Sequence, residues 1–278
     1  MDFEQFINLA LEEDIRDGDH STLACIPEDA RDSAVLKIKE DGVLAGIDVA
    51  QRIFKQVQAD CTFEIFKQDG ARVKKGDEGF IVHAKTRTLL STERLVLNIM
   101  QRMSGIASMT AKYSDKISSY DTKVLDTRKT TPNFRWFEKE AVRIGGGFNH
   151  RMGLYDMVML KDNHIDFCGG IEKALDKTAE YLKEKELNIK VEIETRNLDD
   201  VKRVLAHGKA DRIMLDNFSP KEIKEALKLI NGQIETEASG GIEIDTIEQY
   251  AKTGVDYISV GAIIHHATSM DISLKAKK

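Results

Sequence analysis

Residues 189–216 read IKVEIETRNLDDVKRVLAHGKADRIMLD. Ile189 to Glu194 is a short apolar run that finishes on carboxylates, an amphipathic helical stretch follows, and Arg212 to Asp216 is a second apolar run that ends in an acid. A strand buried on both faces reads as nearly continuous apolar sequence, and the helix that covers it is apolar on one side only. The stretch therefore predicts strand, helix and parallel strand. The same unit recurs outward in both directions. Lys123 to Asp126 and Met157 to Lys161 precede it, and Ile234 to Ser239 and Tyr257 to Val260 follow it. Between runs the period is helical, as in Ile171, Ala174, Leu175, Ala179 and Leu182. Repeated βα units point to an α/β fold with an incomplete (β/α) barrel. An open doubly wound sheet is the alternative, and periodicity does not separate the two.

Upstream the pattern is less regular. Phe3, Phe6, Ile7, Ala10 and Leu11 fall at helical spacing behind Asp2, a candidate N-cap. Val35, Leu36 and Ile38 suggest a strand, Ile53, Phe54 and Val57 one face of a helix, and Phe63, Ile65, Ile81 and Val82 two strands flanking a loop. A long helical stretch from Leu89 to Ile117 is expected to break at Gly105. These features predict an α+β domain around a small sheet over residues 1–108 and a barrel domain over 109–266. The tail 267–278 is expected to pack back on the first domain.

Composition narrows the function. The net charge of −6 over 278 residues argues against a general nucleic-acid binder. Cys25, Cys61 and Cys168 are scattered and form no CxxC pair, which reads as reduced thiols rather than a disulfide or zinc framework. The N-terminus has no apolar signal core, and no run approaches the ~18 apolar residues of a spanning helix. The expectation is a soluble cytoplasmic protein with no membrane partner.

In a parallel barrel the chemistry lies where the strands finish. Those ends read Asp126-Thr127-Arg128-Lys129, Lys161-Asp162-Asn163-His164, Glu192 with Glu194, Asp216-Asn217, Ser239-Gly240-Gly241 and Ser259-Val260-Gly261. The glycine turns suggest a phosphate site, with Ser239-Gly240-Gly241 ahead of a helix starting near Glu243 and Gly261 ahead of a turn holding His265. Arg128, Lys129, Arg135, Arg143, His150, Arg151 and Lys161 crowd into two strand-end loops and call for a second anion. Arg143 reads as a solvated helix residue, and Gly145-Gly146-Gly147 as a tight loop positioning His150 and Arg151. Glu194 and Asp216 oppose these cations. They suit Mg²⁺, held partly through water, or a ribose carrying positive charge. Glu192 shares a face with Glu194, which is nearer the rim and is preferred.

The block Asp126-Thr127-Arg128-Lys129-Thr130-Thr131-Pro132, Glu138-Lys139, Ala141-Val142-Arg143 and Gly145-Gly146-Gly147 resembles the quinolinate phosphoribosyltransferase signature. So do Asn149-His150-Arg151-Met152-Gly153-Leu154, Lys161-Asp162-Asn163-His164, Val191-Glu192-Ile193-Glu194, Leu215-Asp216-Asn217-Phe218 and Glu237-Ala238-Ser239-Gly240-Gly241. Glu93-Arg94 and Arg102 through Ala107 extend the likeness over almost the whole chain. The resemblance implies an N-terminal α/β sandwich, a barrel of fewer than eight strands and a homodimer, or a higher oligomer, with shared active sites. It implies a pentosyltransferase of NAD biosynthesis that uses quinolinate, phosphoribosyl pyrophosphate and Mg²⁺, with no organic cofactor. Arg128, His150, Arg151 and Lys161 would bind quinolinate, Arg102 would reach the same pocket from the partner subunit, and Thr127 would be among the substrate-binding residues. Lys129, Glu194 and Asp216 would face the phosphoribosyl pyrophosphate and its metal. Ser239, Gly240, Gly241 and Gly261 would cradle a phosphate, with Ser259 and His265 nearby. Lys129, Lys161, Glu194 and Asp216 form the implied catalytic set. Asn133 stands where the family commonly has Gly.

Three other readings compete. One is a paralogous phosphoribosyltransferase for another aromatic acid, of the type associated with molybdate transport. A second is a barrel aldolase with Lys161 or Lys129 as Schiff-base amine. The third is a phosphosugar-binding module without turnover.

Overall fold

The structure, a computed structural model, describes residues 2–277. In chain order the elements are α1 (Phe3–Ile15), α2 (His20–Cys25), β1 (Arg31–Ile38), β2 (Gly42–Val43), α3 (Ile47–Val57), β3 (Thr62–Ile65), β4 (Arg72–Val73), β5 (Glu78–Lys85) and α4 (Thr86–Lys116). The alternating part follows: β6 (Lys123–Leu125), α5 (Arg135–Ile144), β7 (Val158–Leu160), α6 (Asp162–Cys168), α7 (Ile171–Glu184), β8 (Val191–Thr195), α8 (Leu198–His207), β9 (Arg212–Asp216) and α9 (Pro220–Ile230). The chain ends with β10 (Glu235–Ser239), α10 (Ile247–Ala251), β11 (Tyr257–Ser259), α11 (Ala262–His265) and β12 (Ile272–Ala276). Among the described residues no helix is long and apolar enough to cross a membrane.

The chain divides into two compact units. One holds residues up to Ala111, Thr131–Gly146 and those from Ala267 on; the other holds Lys112–Thr130 and Gly147–His266.

In the first unit an antiparallel sheet runs β12-β1-β5-β3. The expected strands at Val35 and Phe63 are both in it, and β12 gives the tail a place beside β1, with Leu36 opposite Leu274. Asp2 caps α1 in a capping box with Gln5. The 109–266 boundary would assign α5 to the barrel, but α5 lies in the first unit. Its aromatic face is the reason: Phe137 packs on Phe6 at 5.0 Å and Phe3 at 5.9 Å between ring centroids, burying apolar rings against α1. The expected break at Gly105 is absent, and α4 runs through it. Glycine is needed there for a different reason, since a Cβ would lie 2.0 Å from the Thr268 carbonyl oxygen.

In the second unit six parallel strands pair in the order β6-β11-β10-β9-β8-β7. The first strand in sequence sits beside the last, and all others neighbour their successors. A doubly wound sheet would instead reverse its order at a central switch point. The arrangement is a (β/α) barrel of six strands left unclosed between β6 and β7. All six strands coincide with the apolar runs. Ile193, Ile213, Leu215, Ala238 and Ile258 alternate with the inward residues and are buried on the other face of the sheet, the face that buried Leu175, Val201, Val204, Ile223 and Ala226 of the helices cover. Local signals set the helix starts: the Asn197 side chain accepts from the Asp199 and Asp200 amides, and Ser219, Pro220 and Glu222 make a capping box.

Candidate active site

The strand ends of the second unit surround one cavity of about 780 Å³, inside the roughly 300 to 1,000 Å³ range of small-molecule sites. Thr127, Arg128 and Lys129 enter it from the loop after β6, His150 and Arg151 from the segment before β7, and Lys161 from the end of β7. Asp216 enters from β9, Ser239, Gly240 and Gly241 from β10, and Ser259, Gly261 and His265 from β11 and the turn beyond it. Glu194 and Arg102 are not among the lining residues. Glu194 is buried on β8, and its Oε2 lies 3.2 Å from Lys161 Nζ. Arg102, in the first unit, donates from Nε and Nη2 to Glu138 Oε1 at 2.9 and 2.8 Å and from Nη1 to the Ala267 carbonyl at 2.8 Å.

Buried Asp126 sets the shape of the cationic side. Its Oδ1 accepts the His150 amide at 2.8 Å and its Oδ2 the Asn149 side chain at 2.6 Å, tying the end of β6 to the segment that carries His150 and Arg151. The Arg151 guanidinium donates to the Met157 carbonyl at 3.2 Å. Burial, then the positive charge of Arg128, pulls the Arg151 pKa below its ordinary value. His265 is likewise lowered by burial and by His266 and Lys129. Positively charged groups facing one another without an anion relieve their repulsion when an anion binds.

On the opposite side Asp216 Oδ1 accepts from Ser239 Oγ at 2.6 Å across the β9–β10 register. Gly240 has φ +97°, and a Cβ there would fall 2.1 Å from Asn217 Oδ1, so only glycine fits. One expectation here is corrected. No helix starts near Glu243: α10 begins at Ile247 and is 5 residues long, because residues 242–246 form a turn closed by the Thr246 amide on the Glu243 carbonyl. Any anion bound by these glycines meets loop amides rather than the end of a helix.

Beneath the cavity lies a charged floor, of which the strand ends gave Glu192 and His150 but not Arg212 or their pairing with Glu237. His150 Nε2 lies 2.9 Å from Glu192 Oε2 and 3.3 Å from Glu237 Oε2, and both carboxylates are fully buried. These are ion-pair distances rather than aligned hydrogen bonds. Arg212 reaches Glu237 at 3.3 Å and Glu235 at 3.1 Å, with its guanidinium 4.1 Å from the centre of the Tyr257 ring. Burial works against a charge on His150, but the two acids outweigh it and hold His150 up to about 9. The Arg151 amide pulls the other way, since its N–H points at Nδ1 from 2.6 Å and only an unprotonated Nδ1 accepts it. A neutral hydrogen bond contributes about 1 kcal/mol, less than one pKa unit, so the acids prevail. Burial, then the Glu237 charge, pushes the Glu192 carboxyl up. Burial would raise Glu237 too, but His150 draws it down. The sequence signal for this floor was Glu192 and Arg212 at inward positions of strands read as apolar.

Comparison with known proteins agrees with this geometry. Residues 106–275 match the family described as Quinolinate phosphoribosyl transferase, C-terminal domain, and residues 19–104 match its N-terminal domain. The chain belongs to the quinolinate phosphoribosyl transferase family. Its relatives include the chloroplastic nicotinate-nucleotide pyrophosphorylase (carboxylating) of Oryza sativa subsp. japonica, 47% identical over 99% of this chain and 77% of that protein. The protein of Bacillus subtilis (strain 168) named "Probable nicotinate-nucleotide pyrophosphorylase (carboxylating)" is 39% identical over 99% of this chain and 93% of its own. Among solved structures, NadC from Streptococcus pyogenes superimposes with a TM-score of 0.92 at 41% identity, covering 99% of this chain and 97% of that one. Membership of the quinolinate phosphoribosyl transferase family accounts for the two-unit organisation and for the block from Asp126 to Leu154.

Proposed function

We propose that this chain joins quinolinate to the 5-phosphoribosyl group of phosphoribosyl pyrophosphate, releasing pyrophosphate and CO₂ and forming nicotinate mononucleotide for NAD biosynthesis. The observation that carries the reading is a single cavity with two anion-binding sides: Arg128, Arg151 and Lys161 on one, and the Ser239-Gly240-Gly241 and Gly261 turns on the other. Two polyanionic substrates repel each other unless cations offset them. In the proposed roles Thr127, Arg128, His150, Arg151 and Lys161 hold the quinolinate carboxylates. Lys129 and the glycine turns, with Ser259 and His265, hold the phosphoribosyl pyrophosphate. Asp216 faces ribose C1 as positive charge develops there, and Glu194 orients Lys161. The pyridine nitrogen attacks C1 as the C1–O bond to pyrophosphate breaks. In the resulting pyridinium the C–C bond to the 2-carboxylate then breaks, its electron pair stays on the ring carbon, and that carbon takes a proton from water.

Asp216, which lines the cavity, and Glu194, paired with Lys161, would supply the hard carboxylate oxygens that Mg²⁺ prefers. The ion would offset the charge of the leaving pyrophosphate. Lys161 faces a carboxylate rather than an apolar wall, which suits anion binding better than Schiff-base chemistry. A homodimer is part of the proposal, with Arg102 serving the neighbouring chain, and exposed Phe167, Tyr155 and Leu154 supply apolar surface of the kind interfaces cover. The cytoplasm is the proposed compartment, in keeping with three free cysteines.

With quinolinate, phosphoribosyl pyrophosphate and Mg²⁺, pyrophosphate, CO₂ and nicotinate mononucleotide should appear in equal amounts. Ready use of nicotinate with no use of quinolinate would overturn the substrate assignment. Arg151→Ala should weaken quinolinate binding by roughly 1.5 to 3 kcal/mol, the range for a charged hydrogen bond. Phosphoribosyl pyrophosphate binding should change far less. Equal losses for both ligands by calorimetry would reject the division of roles.

A further inference from the structure

Of the three histidines that line the cavity, two sit in opposite electrostatic settings. His265 is exposed beside Lys129 and His266, and its charged form is disfavoured. His150 is buried, its Nε2 turned into the floor between Glu192 and Glu237. With Arg128, Lys129, Arg151 and Lys161 above it, a buried imidazole would ordinarily shed its proton. Each strand of the floor brings a charge: Glu192 on β8, Arg212 on β9 and Glu237 on β10. Asp126 at the end of β6 is engaged by the His150 and Asn149 donors.

We propose that Glu192 and Glu237 are positioning residues that keep His150 charged, so that the ring serves the cavity as a cationic donor to a ligand carboxylate. The inference rests on the proposed reaction for the identity of that carboxylate, and on the floor geometry alone for the charge. With Nε2–H anchored below, the second ring proton belongs to Nδ1. In the charged ring Nδ1–H and the Arg151 N–H, 2.6 Å apart, face each other, and an entering carboxylate that accepts from both offsets their repulsion. The floor therefore favours an anionic ligand over a neutral one. The same three residues have the donor types of a metal site, but Arg212 already lies 3.3 Å from Glu237, and a divalent ion placed there would be repelled.

Imidazole NMR of the ligand-free protein tests the charge directly. His150 should titrate near 9 in the wild type and at least about one unit lower in Glu192→Gln and in Glu237→Gln, as expected when one neighbouring anion is removed. For turnover, kcat/KM for quinolinate at pH 8.5 should fall about threefold or more in either variant, as the charged fraction of the ring does for a one-unit shift, and match wild type closely at pH 6, where the ring is charged regardless. Should one variant fail to fold, the other carries the test. Losses equal at both pH values, or an NMR titration unmoved in the variants, would make the acids merely structural and sink the proposal. So would a divalent ion found bound in stoichiometric amount and lost in Glu192→Gln. Absence of any quinolinate turnover by a wild type whose His150 titrates as stated would count against the proposed reaction instead.

Discussion

Arg212→Met should lower the stability of the folded chain by about 3 to 5 kcal/mol, the cost of removing one partner from a buried ionic group. The expectation rests on where the residue sits. Arg212 is 7% exposed, and its guanidinium spans Glu235 and Glu237 while Glu192 stands opposite it on the neighbouring strand. Methionine replaces the stem but leaves Glu237 and Glu192 with His150 as their remaining cation. Either the acids take up protons or the barrel floor admits water, and both are costly. Denaturant melts at pH 7 measure the loss, and adding Glu237→Gln to Arg212→Met should restore part of it, because contacting residues are not additive. A loss under about 1 kcal/mol, typical of exposed pairs, would mean that the floor is hydrated and its charges screened.

The second large effect is a decline of stability with rising pH. The His150 pKa is raised from 6.5 when unfolded to about 9 when folded. The associated stability is therefore fully present below about pH 6.5 and is lost as the pH climbs through 9, a difference on the order of 3 kcal/mol. Melts at pH 6 and pH 9.5 should differ accordingly, and His150→Gln should flatten much of the slope. A wild-type profile that is level over this interval would show that the imidazole is neutral throughout.

Strand positions in the second unit were legible because apolar runs separated by amphipathic segments leave few alternatives. The rim was legible because charged and glycine-rich turns stand out against those runs. The floor was legible only in part: Glu192 and His150 were read at the strand ends, but Arg212 and Glu237 sit inside strands, where one polar residue looks like noise until its partners on neighbouring strands are known. Glu138, which accepts from Arg102, lies too far along the chain for spacing to reveal the pair. Gly105 misled for a related reason: helix propensity is a local property, whereas the close approach of Thr268 is set far away in sequence. Asn133, which departs from the family's glycine, has φ +60°. That is the left-handed conformation glycine adopts freely and asparagine tolerates better than most residues.

The gap between β6 and β7 leaves the six-stranded sheet with two borders, and an uncovered border is a row of peptide groups able to recruit a strand from another molecule. Both borders are 3 residues long. That of β6 is already occupied: the Phe148 amide donates to the Val124 carbonyl and the Asp126 amide donates to the Phe148 carbonyl. Substitutions at Asn149 or Asp126 that release this segment would uncover a β-template beside exposed Phe148, and self-association into aggregates is the failure to look for in such variants.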